Sequence, residues 1–190
     1  MREAQINLYN TDCMEGMKEF PDNYFHLAIV DPPYGIGMSK GAGETRGENR
    51  NKKKDLYIPK DWDSSRPDKA YFDELRRVSK NQIIWGGNYF ADLLPASRGW
   101  IYWRKLMGGN YSHGELAYTS FDKILLEFTK RSESGGRIHP TQKPESLYIW
   151  LLQNYTKSNN ERILDTHLGS GSIAIAADKL GFDLWGYELD

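Results

Sequence analysis

The sequence contains a single cysteine, Cys13, and only four histidines among its 190 residues. One cysteine excludes a disulfide bond within the chain, which fits a reducing compartment. So few thiol and imidazole groups also disfavour a metal site, and we expect no bound metal. No apolar run is long enough to span a bilayer, and the N-terminal residues lack the hydrophobic segment of a secretory signal. These absences predict a cytoplasmic protein that does not enter a membrane.

Net charge is also nearly absent, since 25 basic residues face 26 acidic ones and the formal charge is −1. This balance disfavours a protein that coats nucleic acid without selectivity. The exception is segment 38–60, which carries seven Lys or Arg residues against three acidic ones and is rich in Gly and Asn. Its composition fits either a solvated surface loop or a mobile arm that becomes ordered on phosphate.

Short apolar, β-prone segments alternate with helical patterns along the chain. The strands predicted from them are 6–10, 26–30, 82–85, 100–103, 123–128, 162–165 and 184–188. Apolar periodicity predicts helices around 12–20, 67–80, 145–156 and 172–180. The length suits one domain, 1–190, with its own core. This alternation predicts an α/β fold with a mostly parallel, seven-stranded sheet and helices on both faces.

Segment 163–190 has the order strand, glycine loop, helix and strand, and an acid, Glu188, follows its second strand. Gly169 and Gly171 permit a tight turn and a close approach of the backbone to a ligand. An acid in the position of Glu188 can accept hydrogen bonds from ribose hydroxyls. The loop lacks a full G-x-G-x-x-G, which favours a nucleoside cofactor such as S-adenosylmethionine over a dinucleotide. The alternative is that the glycines only make a turn.

A second motif at a strand end is the stretch IVDPPYGIG at 29–37. Methylation of an exocyclic amine is difficult because the nitrogen lone pair is delocalised into the base. The Asp31 carboxylate and the Pro32 carbonyl can accept the two amino hydrogens and draw the nitrogen toward tetrahedral geometry. Pro33 fixes the turn, and Tyr34 offers a face for an extruded base. The alternative is that the prolines only end the strand and that Tyr34 is an ordinary core residue. That alternative leaves the Asp31 carboxylate without a partner.

Three ordered motifs resemble those of the amino-methylating DNA methyltransferases: DPPY at 31–34, HPTQKP at 139–144, and DTHLGSGS at 165–172 followed by GYELD. Their order is similar to the β-class permutation of that family. Segments 9–22 and 77–95 also resemble its adenine-specific branch, found in phage and bacterial genomes. The resemblance covers nearly the whole chain. It implies a Rossmann-like methyltransferase fold, S-adenosylmethionine as cofactor and double-stranded DNA as substrate.

The resemblance also implies a role for each matching residue. Asp31, Pro32, Pro33 and Tyr34 would be the catalytic residues that hold a flipped adenine. The cofactor-binding residues that it implies are Asp12, Cys13, Thr141, Lys143, Asp165, Gly169, Gly171 and Glu188. Among them, Glu188 would bind the ribose, and the Lys143 ammonium would pair with the carboxylate of the cofactor. Cys13 does not follow a proline as in ring-carbon methylation, so we assign it no nucleophilic role.

The basic segment 38–60 follows the DPPY motif, so we expect a mobile loop that meets DNA phosphates beside the site. Region 104–137 corresponds to the part of the family that reads the target sequence. Because this region is short, we expect a short target site or help from a second subunit, either in a homodimer or from a partner. The candidate DNA-binding residues are Lys40, Arg46, Lys52, Lys53, Lys54, Arg104 and Lys105.

Two departures from the family bear on activity. Thr166 and His167 stand where the family commonly has Pro-Phe, which predicts altered or lost cofactor affinity. The chain ends at Asp190, where family members continue through another helix, so we expect a truncated C-terminus or a pocket completed by a partner. Adenine-amine methylation is our leading hypothesis. The alternatives are methylation of the cytosine N4 amine and a non-catalytic DNA-binding or regulatory subunit with the same fold.

Overall fold

The computed structural model describes residues 3–37, 63, 65–106, 112–131 and 142–189. Within these ranges the elements, in chain order, are β1 (Ile6–Tyr9), α1 (Cys13–Lys18), β2 (Leu27–Val30), α2 (Lys69–Val78), β3 (Gln82–Trp85), a 3-10 helix (Gly87–Tyr89), β4 (Trp100–Arg104), β5 (Gly114–Thr119), β6 (Leu126–Thr129), α3 (Glu145–Tyr155), β7 (Arg162–Asp165), α4 (Ser172–Leu180) and β8 (Asp183–Tyr187). Of the helices described, none is both long and apolar enough to cross a membrane.

The strands form one sheet in the order β1-β8-β7-β2-β3-β5-β4-β6. Strand β5 runs antiparallel to both of its neighbours, β3 and β4, and the other strand pairs are parallel. The prediction of a mostly parallel sheet is therefore confirmed, but the predicted strand number of seven is wrong. Strand β5 was missed because it starts with Gly114 and Glu115, two residue types depleted in strands. It lies inside the predicted target-recognition region, and so part of that region belongs to the sheet.

Helices cover both faces of the sheet, as predicted. Ile83 and Ile84 are neighbours on β3, and side chains alternate between the faces of a strand. Ile83 packs in a core with Leu151 of α3 and residues of α4, whereas Ile84 packs in a second core with Phe72 of α2. All four side chains are at most 1% exposed, and each such burial contributes about 1.5–3 kcal/mol.

The register of the sheet brings the two predicted motifs together. Strands β2 and β7 are parallel neighbours, with Leu27 opposite Ile163 and Ala28 opposite Leu164. Their carboxyl ends therefore lie at the same edge of the sheet, so the DPPY motif after β2 faces the glycine loop after β7. Ligands of open α/β sheets bind at this edge.

Candidate active site

A cleft of about 1600 Å³ opens over the carboxyl edge of the sheet. Among the predicted site residues, those that line it are Asp12, Cys13, Asp31, Pro32, Pro33, Tyr34, Lys105, Lys143, Gly169 and Glu188. Asp165 and Gly171 lie beside it and do not contribute to its wall. Pockets for a single small ligand are typically about 300–1,000 Å³. The cleft therefore has room for two ligands, one near the DPPY turn and one near the glycine loop.

A buried carboxylate that the sequence analysis missed holds the DPPY turn. Oδ1 of Asp63 accepts the backbone N–H groups of Tyr34 and Gly35, both at 2.8 Å. The carbonyl of Asp63 accepts the N–H of Gly37 at 3.2 Å, and the residue is 1% exposed. Asp63 is separated from the motif by the basic segment, so no local pattern indicated this contact. Its effect is to fix the backbone from which Tyr34 projects.

Both oxygens of the Asp31 carboxylate have protein partners. The hydroxyl of Tyr34 donates to Oδ1 at 2.5 Å, and the Lys143 ammonium donates to Oδ2. Lys143 Nζ also lies 3.4 Å from Oε2 of Glu115, and its side chain is 3% exposed. The partners of Lys143 are thus two protein carboxylates, whereas the sequence analysis expected the carboxylate of the cofactor.

These neighbouring charges keep the buried ammonium protonated. Burial by itself lowers the pKa of Lys143, but the carboxylates of Asp31 and Glu115 outweigh it, and the pKa is raised overall. The pKa of Glu115 is lowered, because Lys143 and Lys105 together overcome the effect of burial. Asp31, Lys143, Glu115 and Lys105 therefore form a row of alternating charges, which we call the ion-pair chain.

The ring of Tyr34 is stacked against Tyr89, which lies in the 3-10 helix. The ring centroids are 4.8 Å apart and the ring planes differ by 14°. The backbone of Gly86 passes so close that a Cβ there would be 2.2 Å from the Tyr34 ring. Gly86 also has φ +67°, a conformation that suits glycine. Tyr89 was not predicted as a site residue, although it lies in the segment 77–95 that carried part of the resemblance.

The glycine loop has open space beside its backbone. Among the described residues, a Cβ at Gly171 would meet no atom within 4 Å, and one at Gly169 would meet only a carbonyl oxygen at 4.0 Å. Both glycines have positive φ. The N–H of Gly169 donates to Oε2 of Glu188 at 2.7 Å, so this carboxylate lies beside the loop. The open cradle and the adjacent acid fit a nucleoside that brings ribose hydroxyls to Glu188.

The buried carboxyl of Asp165 accepts the N–H of His167 at 3.0 Å. Burial raises the pKa of Asp165 to about 7, and that hydrogen bond partly offsets the effect.

Thr166 and His167 depart from the family pattern, and their polar side chains have hydrogen-bond partners close by. The Thr166 hydroxyl is hydrogen-bonded to Tyr71 at 2.6 Å and to Nδ1 of His167 at 2.9 Å. Burial lowers the pKa of His167 to about 4, so its ring is neutral near pH 7.

Asp12 and Cys13 lie where the chain enters α1. The Asp12 side chain caps this helix by accepting the N–H of Met14 at 2.7 Å. Burial, followed by the negative charge of Asp12, raises the pKa of the Cys13 thiol to about 12. A neutral thiol is a poor nucleophile, which agrees with the absence of a nucleophilic role for Cys13.

The predicted DNA-binding residues are only partly described. Lys40, Arg46, Lys52, Lys53 and Lys54 lie outside the described residues, as does the predicted cofactor residue Thr141. Arg104 is exposed at the end of β4 and lines a smaller cavity of about 440 Å³ beside the main cleft. The ammonium of Lys105 pairs with Glu115.

The sequence matches a known family model and a curated relative. Residues 84–190, more than half of the chain, match the model of the N6/N4 family, described as DNA methylase. The methylase YubD of Escherichia coli K12 is 27% identical over 191 residues, which cover 94% of this chain and 82% of YubD.

Two solved structures resemble the described fold. The complex of M1.HpyAVI with SAM superposes with a TM-score of 0.61 at 16% identity, over 98% of this chain and 94% of that one. The cytosine-N4-specific PvuII DNA methyltransferase superposes with a TM-score of 0.63 at 12% identity, over 100% of this chain and 83% of that one. Similarity at such low identity shows a shared fold.

Proposed function

The chain belongs to the N6/N4 DNA methylase family, and we propose that it transfers the methyl group of S-adenosylmethionine to the N6 amine of an adenine flipped out of double-stranded DNA. The predicted Rossmann-like methyltransferase fold and amino-methylating DNA methyltransferase family are confirmed. The observation that supports the proposal is that the Asp31–Tyr34 turn and the glycine loop face each other across the same cleft.

The glycine-loop side of the cleft suits the cofactor. S-adenosylmethionine supplies an electrophilic methyl group on a sulfonium sulfur. The Glu188 carboxylate would accept the ribose hydroxyls, and the open backbone at Gly169 would lie against the nucleoside. Asp12 supplies further negative charge at this end, which favours a cationic ligand.

The DPPY side suits the target amine. Each carboxylate oxygen of Asp31 can accept more than one hydrogen bond, so the contacts from Tyr34 and Lys143 leave acceptor capacity for an amino hydrogen. The Pro32 carbonyl can accept the second hydrogen. As the nitrogen gained the methyl group and the carbon–sulfur bond of the sulfonium broke to leave a neutral thioether, the nitrogen would become cationic, and the nearby Asp31 carboxylate would stabilise that charge. The cationic amine is strongly acidic and loses its extra proton to water, so no general base is required.

Adenine is favoured because this motif begins with an aspartate, whereas the cytosine branch more often has serine at position 31. The cytosine N4 amine is the second candidate, since the similar PvuII enzyme is cytosine-N4-specific. Both amines present the same chemistry to Asp31 and Pro32. The aspartate therefore favours adenine through the resemblance to the family pattern, and not through a difference in the chemistry of the two amines.

The direct test is to incubate the protein with methyl-labelled S-adenosylmethionine and unmethylated DNA, digest the DNA to nucleosides and identify the labelled one by mass. Label on N6 of adenine supports the proposal, and label on N4 of cytosine changes the base. Absence of label from a folded sample supports the non-catalytic alternative. The variant Asp31→Ala is expected to abolish transfer while the affinity for S-adenosylmethionine, measured by calorimetry, stays within about threefold.

A further inference from the structure

We propose that Lys143 and Glu115 are positioning residues for the amine-binding carboxylate of Asp31. The inference rests on the proposed function of Asp31. It extends that function to Glu115, which has no assigned part in the reaction, and to Lys143, which the resemblance placed at the carboxylate of the cofactor. Lys143 precedes α3 and Glu115 lies on β5, so both reach Asp31 from other parts of the fold. The contacts within the ion-pair chain support this proposal.

Two hydrogen-bond donors set the orientation of the Asp31 carboxylate. Tyr34 donates to one of its oxygens and Lys143 to the other, so the plane of the carboxylate is held from two directions. Tyr34 is fixed in turn by its stacking on Tyr89. Without Lys143, Oδ2 loses the donor that the structure shows, and the carboxylate is free to rotate. An amine must be held in a near-attack geometry for methyl transfer, so such rotation lowers the rate.

Glu115 compensates the positive charge that Lys143 brings to Asp31. A lone ammonium beside Asp31 would oppose the positive charge that develops on the amine nitrogen. Glu115 lies 3.4 Å from Lys143 Nζ and supplies a compensating negative charge. The four members of the ion-pair chain alternate in sign and sum to zero. Glu115 therefore allows Lys143 to hold Asp31 without adding net positive charge to the site.

Lys143 is deeply buried. The Lys143 side chain is 3% exposed and its ammonium lies 5.2 Å from the centre of the Trp85 ring. A buried ion pair is weak evidence for a stabilising role, because well-packed apolar residues usually serve stability at least as well. A buried lysine that contacts the proposed amine-binding carboxylate is better explained by a role in placing that carboxylate.

The experiment compares wild type with Lys143→Met, Lys143→Arg and Glu115→Gln. Single-turnover methyl transfer is measured at saturating DNA and cofactor, and cofactor affinity is measured by calorimetry. Lys143→Met is expected to lose about 100-fold in rate with cofactor affinity nearly unchanged. Lys143→Arg should recover part of the rate, and Glu115→Gln should lose about tenfold.

Lys179→Met is the matched control, because Lys179 pairs with Glu145 on exposed helix surfaces. It should behave as wild type in every assay. Thermal unfolding identifies a variant that fails to fold. If Lys143→Met does so, the isosteric Glu115→Gln and the charge-conserving Lys143→Arg carry the test.

A parallel NMR measurement keeps this inference separate from the proposed function. The chemical shift of the Asp31 carboxyl carbon is compared at one neutral pH in wild type and Lys143→Met, with its signal assigned from Asp31→Asn. A displaced signal in Lys143→Met supports the contact even if wild type transfers no methyl group, an outcome that contradicts only the proposed function. Coincident signals, or a normal transfer rate in Lys143→Met, overturn the positioning role. A joint loss of cofactor affinity and rate also overturns it, because Lys143 would then act on the cofactor.

Discussion

Tyr34 and Tyr89 lie face to face, with ring centroids 4.8 Å apart and 14° between the ring planes. Tyr34 belongs to the DPPY turn and Tyr89 to the 3-10 helix after β3. Arg66 holds Tyr89 in place, since its guanidinium donates to the carbonyl of Tyr89 at 2.8 Å and pairs with Asp92. The stacked pair therefore connects the proposed base-binding turn to a neighbouring strand end.

Loss of the Tyr89 ring should impair capture of the target base. We expect Tyr89→Ala to weaken it about two- to tenfold, because an aromatic pair contributes about 0.5–1.5 kcal/mol and Tyr34 would lose its support. The measurement is the fluorescence of 2-aminopurine placed at the target base, titrated with protein. Tyr89→Phe keeps the ring and should match wild type. Equal weakening in both variants would assign the effect to the hydroxyl.

A side chain at Gly86 should displace Tyr34. A Cβ there would lie 2.2 Å from the Tyr34 ring. We expect Gly86→Ala to cost about 1–3 kcal/mol in the free energy of unfolding, measured in urea, and to abolish methyl transfer. Gly37→Ala is the control, since Gly37 has a similar φ of +72° but a Cβ there meets no atom of the described residues within 4 Å. If both variants lose the same stability, backbone strain and not the tyrosine is responsible.

Removal of the Asp63 carboxylate should loosen the DPPY turn. Asp63→Ala leaves the N–H groups of Tyr34 and Gly35 without their acceptor, which we expect to cost about 1–3 kcal/mol in unfolding free energy. The transfer rate should fall as well, because Tyr34 projects from this turn. Asp63→Asn retains an acceptor oxygen and should lose less on both measures. A stable Asp63→Ala variant with a normal rate would contradict the role of Asp63.

The buried carboxyl of Asp165 should make stability depend on pH. Its pKa is raised to about 7 in the folded protein, so between about pH 4 and pH 7 the folded state binds more protons than the unfolded state. Its contribution to stability is therefore full at the acidic end of this window and is lost as the pH rises toward 7. Urea unfolding of wild type and Asp165→Asn across this range measures the difference. The variant should show a flatter profile, and parallel profiles would refute the assignment.

The two adjacent cations at the end of β4, Arg104 and Lys105, should differ in their contact with DNA. Arg104 is exposed, whereas the ammonium of Lys105 is paired with Glu115. We expect Arg104→Ala to reduce the slope of log affinity against log salt by about one, as for loss of one phosphate contact. Lys105→Met should leave the slope unchanged and lower the transfer rate through Glu115. The reverse pattern would assign the phosphate contact to Lys105.

Much of the architecture could be predicted from local sequence. The boundaries of β3, β7 and α4 were predicted to the residue, because each segment is largely apolar and is bounded by turn or loop residues. The resemblance in DPPY, HPTQKP and the glycine loop indicated the family. The alternation of elements also predicted that the Asp31 and Gly169 motifs both follow strands, where ligands of such sheets bind.

Other features were decided only by tertiary structure. Strand β5 is antiparallel and begins with two residues of low β-propensity, so its place between β3 and β4 depends on its neighbours. The contacts of Asp63 with Tyr34 and of Lys143 with Asp31 join residues 29 and 112 positions apart. Local sequence determines the period, the turns and the motifs, because these depend on near neighbours along the chain. The partner of a buried charge depends on which distant segments the sheet brings together.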